Sequence, residues 1–193
     1  MPDILSPCAP IAAEPCRVGA LSLAPAPLEE MVSISSFSNS LPALREAVLH
    51  ALGASLPPAP GTATRQQGLS ILWIGPNQWL ACAPQGSGLM EKLQVACGAH
   101  AALTDQTDGR VTLTLCGPYA HAIAAKLVPI DLHPRCFGLS SVALTQAGHI
   151  PVILMQRDRQ PAYDFIVFRS LARSLHHDIL AAMRGGIPES EQN

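Results

Sequence analysis

Charged side chains are scarce in this chain. They make up 13% of its 193 residues, about half the ~25% of an average globular domain. Cores of protein interfaces are depleted of charge, so one reading is a surface largely covered by partners. A composition rich in Ala and Pro gives the same shortfall with no partner at all. The net charge of -2 provides no overall attraction for nucleic acid or anionic lipid. Long apolar runs are missing too: nothing approaches the roughly 18 to 20 residues of a membrane-spanning helix. The opening Met1-Pro2-Asp3 has no basic region, and Pro7, Pro10, Glu14 and Pro15 break any apolar stretch after it, so no secretory signal is read and a cytoplasmic protein is expected. Cys8, Cys16, Cys82, Cys97, Cys116 and Cys136 are scattered without a C-x-x-C pair. That excludes a disulfide scaffold or zinc-ribbon reading and predicts buried free thiols. Neither G-x-G-x-x-G after a strand nor G-x-x-x-x-G-K-[ST] occurs, so the chain itself is not expected to hold FAD or NAD.

What remains is enough for one core and too little for two complete domains. Residues 1–30, rich in Pro and Ala without a sustained period, read as an extended arm, mobile or wrapped on a partner. Residues 31–184 read as a single α+β domain and 185–193 as a polar tail. Val32 and Ile34 alternate with serines in a strand over 31–37. Leu41, Leu44, Val48 and Leu52 recur at helical spacing between Ser40, a candidate N-cap, and Gly53. Two apolar runs, 69–74 and 79–83, flank Gly75-Pro76-Asn77-Gln78 and predict a hairpin. A second helical face runs through Leu89, Leu93, Ala96 and Cys97. Strands are expected at 101–106 and 110–116 as hairpin partners about the Asp108-Gly109 turn. A helix opened by Gly117-Pro118 comes next, then strands at 141–146, 152–156 and 163–168, the middle one apolar on both faces and so central. Ser170 is a candidate cap for a last helix carrying Leu171, Leu175, Ile179 and Met183. The order β-α-β-β-α-β and then β-α-β-β-β-α predicts two echoing halves, each like a split βαβ unit.

No catalytic constellation stands out. Cys136 with His133 is the nearest nucleophile and base, but Pro134 stiffens the chain between them and no orienting carboxylate is evident. His176, His177 and Asp178 are metal-ligand types, yet helical neighbours point about 100° apart and seldom share an ion. His50, His100, His121 and His149 are isolated, and Asp108 of the Asp105/Asp108 pair is explained by its turn. Partner-binding types are better represented. Trp73 and Trp79 bracket a turn, and Arg135 and Phe137 close a proline-stiffened loop with Asp131 and His133; with Arg110, these are the candidate interface residues. For the tryptophans the alternative is a place in the core, and for the loop, local turn bonding.

The segments Leu72-Trp73-Ile74-Gly75-Pro76-Asn77-Gln78-Trp79-Leu80, Asp105-Gln106-Thr107-Asp108-Gly109-Arg110-Val111, Gly117-Pro118-Tyr119-Ala120, Asp131-Leu132-His133-Pro134-Arg135-Cys136-Phe137 and Tyr163-Asp164-Phe165-Ile166-Val167-Phe168-Arg169-Ser170 together resemble the gamma subunit family of heterotetrameric sarcosine oxidase. The likeness spans about Leu41 to Met183. Thr107-Asp108 departs from the Ser-His of the family pattern. The resemblance implies a fold related to the folate-binding domain of the glycine-cleavage T-protein. It also implies alpha, beta and delta partner subunits that carry FAD, FMN, NAD, tetrahydrofolate and zinc. In such a complex sarcosine is oxidatively demethylated to glycine with one-carbon transfer to tetrahydrofolate. The gamma chain then has no chemistry of its own and serves assembly, packing mainly against alpha.

Overall fold

The computed structural model describes residues 11, 14–158 and 160–186. Residues 1–10, 12 and 13 of the expected arm and 187–193 of the expected tail lie outside them. In chain order the elements are β1 (Cys16–Val18), β2 (Leu21–Pro25), β3 (Glu29–Ser36), α1 (Leu41–Leu52), β4 (Ala63–Gln66), β5 (Leu69–Gly75), β6 (Gln78–Pro84) and α2 (Leu89–Cys97). Then come β7 (Ala101–Asp105), β8 (Arg110–Cys116), α3 (Ala120–Leu127), β9 (Val142–Ala147), β10 (Ile150–Asp158), β11 (Ala162–Phe168) and α4 (Ala172–Arg184). Gly53 ends α1 in the left-handed conformation at φ 68°, where a side chain would be strained. Ser40 precedes α1 without bonding through its hydroxyl. Ser170 sits within a 3₁₀ turn, so it does not cap α4, which begins two residues later.

The strands form two antiparallel sheets, ordered β4-β5-β6-β3-β7 and β1-β2-β8-β11-β10-β9. On the first, Val32, Ile34, Ile71, Trp79 and Ala81 pack against Leu44 and Val48 of α1 and Leu89 and Leu93 of α2. On the second, Leu113, Leu115, Val152, Leu154 and Phe165 pack against Ile123 of α3 and Leu175 and Ile179 of α4. The opposite faces meet each other: Met31, Leu72, Leu80 and Cys82 oppose Val142, Ile153, Met155 and Ile166. Period-two alternation puts apolar residues on both faces of these strands, so each sheet must be covered twice. The result is four layers, helices, sheet, sheet, helices. Backbone bonds from Ala63 N to Ser140 O and from Val142 N to Gly61 O, both 2.8 Å, stitch the sheets together where β4 meets β9.

Two expectations need correction. Residues 101–105 and 110–116 are not hairpin partners: β7 pairs with β3, while β8 pairs with β2 and β11 in the other sheet. The intervening turn is a crossover, held by Met31 N donating to Thr107 Oγ1 at 3.1 Å and by Gln106 N donating to Met31 O at 2.7 Å. A tight turn between two alternating runs looks the same in sequence whichever sheet each run joins. The arm reading fails over residues 16–25, which are two strands of the larger sheet. Leu21 and Leu23 alternate with Ser22 and Ala24, a period masked by the surrounding prolines, and are 3% and 0% exposed. Gly117, at φ 132°, lets the start of the α3 segment approach this hairpin, since a Cβ there would lie 2.5 Å from Ala20 O.

The two halves echo each other closely. The sequence β3-α1-β4-β5-β6-α2 matches β8-α3-β9-β10-β11-α4, and the central strand order β4-β5-β6-β3 matches β9-β10-β11-β8. In the first half β7 comes after α2 and lies beside β3; in the second half the corresponding place beside β8 is taken by β2, from the beginning of the chain.

Candidate functional site: charges between the sheets

At the end of the inter-sheet layer where β10 finishes, polar side chains replace the apolar ones. Asp164 lies in β11 between Tyr163 and Phe165, which face the helices, so strand alternation turns its carboxylate inward, where it is 0% exposed. Arg157 Nε donates to it at 2.9 and 2.7 Å, and Thr114 Oγ1 of β8 donates at 2.7 Å. Arg65 of β4 reaches across from the other sheet and donates to the carbonyls of Gln156 and Arg157 at 2.8 and 2.9 Å. Glu29, at the start of β3, faces the same space and accepts a long bond of 3.4 Å from Thr112 Oγ1. A cavity of about 310 Å³ opens beside these groups. Arg157 and Asp164 form a salt bridge at 2.7 Å, in keeping with the rule that a buried charge persists only when paired, while Arg65 spends its donors on carbonyls.

Burial pushes the Glu29 carboxyl above its ordinary value, with Asp164 adding to the effect and Arg157, Thr112 and Arg65 opposing it. A raised folded-state value means that the folded protein holds the proton more tightly than the unfolded chain. Glu29 therefore favours folding at acid pH, and that contribution is lost as pH rises from the ordinary value near 4.5 through the raised one. Glu29→Gln is expected to raise the melting temperature at neutral pH, with the advantage disappearing on acidification. Melting curves at pH 4 and pH 7.5 check this; an equal shift at both would show that charge is not the cause. The neighbouring Glu30 points to the other face and is structural. It accepts bonds from Leu89 N at 2.7 Å and Ser87 Oγ at 2.8 Å, a long-range cap on the α2 N-terminus that holds its carboxyl below the usual range.

The residues singled out from sequence are dispersed. Trp79 is 2% exposed, packed against the α1 and α2 side, and its Nε1 donates to Pro57 O at 3.4 Å. Trp73, its register partner, is half-buried in the same cluster. Phe137 is 5% exposed within the α3 and α4 core. Neither Trp79 nor Phe137 can offer its ring to a partner, because each is needed by its own core. Asp131, His133 and Arg135 are exposed, on a loop fastened by local bonds: Asp131 Oδ1 accepts from His133 N at 2.8 Å and His133 Nδ1 from Arg135 N at 3.2 Å. Cys136 is exposed rather than buried, and Cys16 and Cys116 are half-buried. The hydrogen bond and charge of Asp131 push the Cys136 thiol up, the reverse of what an attacking thiolate requires. Among the described residues no three His, Cys, Asp or Glu side chains are grouped to hold a metal ion. No helix among them is long and apolar enough to cross a membrane.

Arg110 opens β8 at the far end of the layer. Its guanidinium stacks 4.4 Å from the ring centroid of Phe168, its register partner on β11. Sequence reasoning missed Glu29, Arg65, Arg157 and Thr114 altogether. One signal was available, since Asp164 is a lone charge inside the otherwise apolar run Ala162 to Phe168, and charged residues are almost never fully buried unless paired.

Two helix-backed antiparallel sheets packed face to face define a four-layer α+β domain of the type also present in the glycine cleavage aminomethyltransferase T of Bartonella henselae. That structure matches with a TM-score of 0.57 over 82% of this chain and 45% of the other, at 15% identity, a likeness of fold alone. The chain belongs to the sarcosine oxidase gamma subunit family, whose profile matches residues 38–181. The gamma subunit from an Arthrobacter species is 40% identical over 119 residues, covering 61% of this chain and 59% of the relative. That from Corynebacterium sp. strain P-1 is 37% identical over the same length and coverage. The matched segment thus spans somewhat under two thirds of these curated relatives. A chain of the heterotetrameric sarcosine oxidase of Corynebacterium sp. U-96, solved with pyrrole 2-carboxylate, superposes with a TM-score of 0.79 at 28% identity, covering 87% of both chains.

Proposed function

We propose that this chain is the gamma subunit of a heterotetrameric sarcosine oxidase and performs no chemistry itself. It acts in assembly, packed mainly against the alpha subunit. The complex oxidatively demethylates sarcosine to glycine and passes the one-carbon unit to tetrahydrofolate, with FAD, FMN, NAD, tetrahydrofolate and zinc carried by the alpha, beta and delta subunits. The observation that carries this reading is the structural match over 87% of both chains to a component of a heterotetrameric sarcosine oxidase. The exposed Asp108, Asp131, His133 and Arg135 are available for partners, as are the half-buried Trp73 and Arg110. Such a subunit supplies surface and shape.

A tagged chain purified from its native cell is expected to bring three further subunits, visible flavin absorbance, and bleaching of that absorbance by sarcosine under anaerobic conditions. A colourless lone chain that binds tetrahydrofolate would overturn the proposal in favour of an autonomous folate-binding protein.

A further inference from the structure

Exposed large apolar side chains are few in this protein, and they are unevenly placed. Of the six among the described residues, Leu28 at 66%, Leu144 at 50% and Phe168 at 43% exposure line two cavities that share Arg110 as a wall. One cavity, about 460 Å³, lies among Ile74, Gln78, Leu144, Pro151 and Phe168. The other, also about 460 Å³ and more enclosed, is bounded by Pro25, Pro27, Leu28, Met31 and Thr107. Between them Arg110 is half-buried, and its Nε is buried without a hydrogen-bond acceptor. Burial disfavours its charge, and the neighbouring Cys82 thiol, pushed up by its own burial, stays neutral and supplies no counter-charge. Asp108, Glu29 and Arg169 also border the enclosed cavity, but none of the described carboxylates forms a salt bridge with Arg110. A desolvated guanidinium with an orphaned N–H is costly until an anion reaches it.

We infer that the open end of the inter-sheet layer around Arg110 docks a segment of another subunit that presents a carboxylate to Arg110 and apolar side chains to the cavities on either side. This rests on the subunit reading above. Charge complementarity selects an acidic residue at the centre, and the exposed Leu28, Leu144 and Phe168 select apolar flanks. The two cavities share Arg110 and otherwise have different walls, an extent that suits a peptide segment better than one compact small molecule. An Arg held against an aromatic ring and ringed by apolar contacts is the usual make-up of an interface hot spot.

The test is co-expression with the other oxidase subunits and measurement of incorporation by native mass spectrometry over a dilution series. Arg110→Glu and Leu144→Asp are each expected to weaken incorporation at least ~10-fold. Val95→Asp, on the outer face of α2 where Val95 is 90% exposed, is expected to leave it unchanged. Leu144 is exposed on an edge strand, so its variant should keep the wild-type melting temperature within a few degrees and separates lost docking from lost folding. A wild-type chain that joins no partner removes the subunit reading and this surface with it. Wild-type assembly matched by both variants overturns the surface alone. So would saturable binding of phenylacetate to the lone chain, abolished by Arg110→Glu while assembly stays intact, because the site would then take a small carboxylate.

Discussion

Deletion of residues 1–26 is expected to unfold the larger sheet and its helices rather than trim a loose arm. The deletion removes β1 and β2, and with them the ladder from Ser22 through Pro25 to β8 and the bond from Ala26 N to Thr112 O at 2.8 Å. Leu21 and Leu23 are lost from a cluster containing Leu113, Leu115 and Ile179. Full burial of each leucine is worth ~1.5–3 kcal/mol, and the face of the neighbouring core becomes wet as well. Together these contributions come to ~5 kcal/mol or more, comparable with the whole margin of a domain, about 5–15 kcal/mol. Leu23→Ala alone is expected to cost about 3 kcal/mol. Urea unfolding followed by the near-ultraviolet signal of Tyr119 and Tyr163, both in the affected cluster, measures both, while the emission of Trp73 and Trp79 reports on the other half. If emission stays native while near-ultraviolet tyrosine signals vanish, the halves unfold separately. A truncated chain with the wild-type midpoint would restore the arm reading.

The same segment explains how the two halves became legible only in part. Apolar spacing gave the helices and most strands, because a helix face or a strand face is a local property of five to ten residues. The pairing of those strands is not local. The Gln106 to Gly109 turn carries the residues of a hairpin, yet Met31, far earlier in the chain, holds it as a crossover between sheets. The place beside β8 is filled by β2, from a proline-rich stretch whose short alternation is meaningful only once β8 is there to receive it. Once that strand is recognised, the echo between halves is complete in its central order. β1 and β2 are thus committed to the chain's own core.

The candidate site was less legible than the fold. Phe137 and Trp79 have the residue types of interface anchors, but a ring reaches a partner only if its own core can spare it, and burial is decided by the packing of α3, α4 and the proline link near Pro57. Arg110 could be singled out because its turn and strand are readable. Its unpaired Nε could not, because the missing acceptor is a fact about three strands at once. The charge cluster joins residues from positions 29 to 164 and from both sheets, so only the lone charge in the β11 run pointed to it.

Asp164→Ala is expected to destabilise the protein by about 3 kcal/mol, the low end for breaking a buried ion pair. The low end applies because the Arg157 side chain is 39% exposed and can turn partly toward water when its partner is gone. Thr114 and Arg65 lose a favourable neighbour at the same time. For a chain of this size such a loss lowers the melting temperature by roughly 6–12 °C. Asp164→Asn, which still accepts the Thr114 hydrogen bond, is expected to cost less. The decisive variant is the double replacement Asp164→Leu with Arg157→Met. If the cluster is a balanced ion pair and nothing more, filling its space with apolar side chains recovers most of the lost stability, and the double-mutant cycle reports a coupling of about 1–3 kcal/mol. The repaired protein should also assemble with its partners as the wild type does, since Asp164 and Arg157 bind each other on neighbouring strands of one sheet. Full stability combined with failed assembly would instead identify the cavity beside Asp164 as a second contact of the complex.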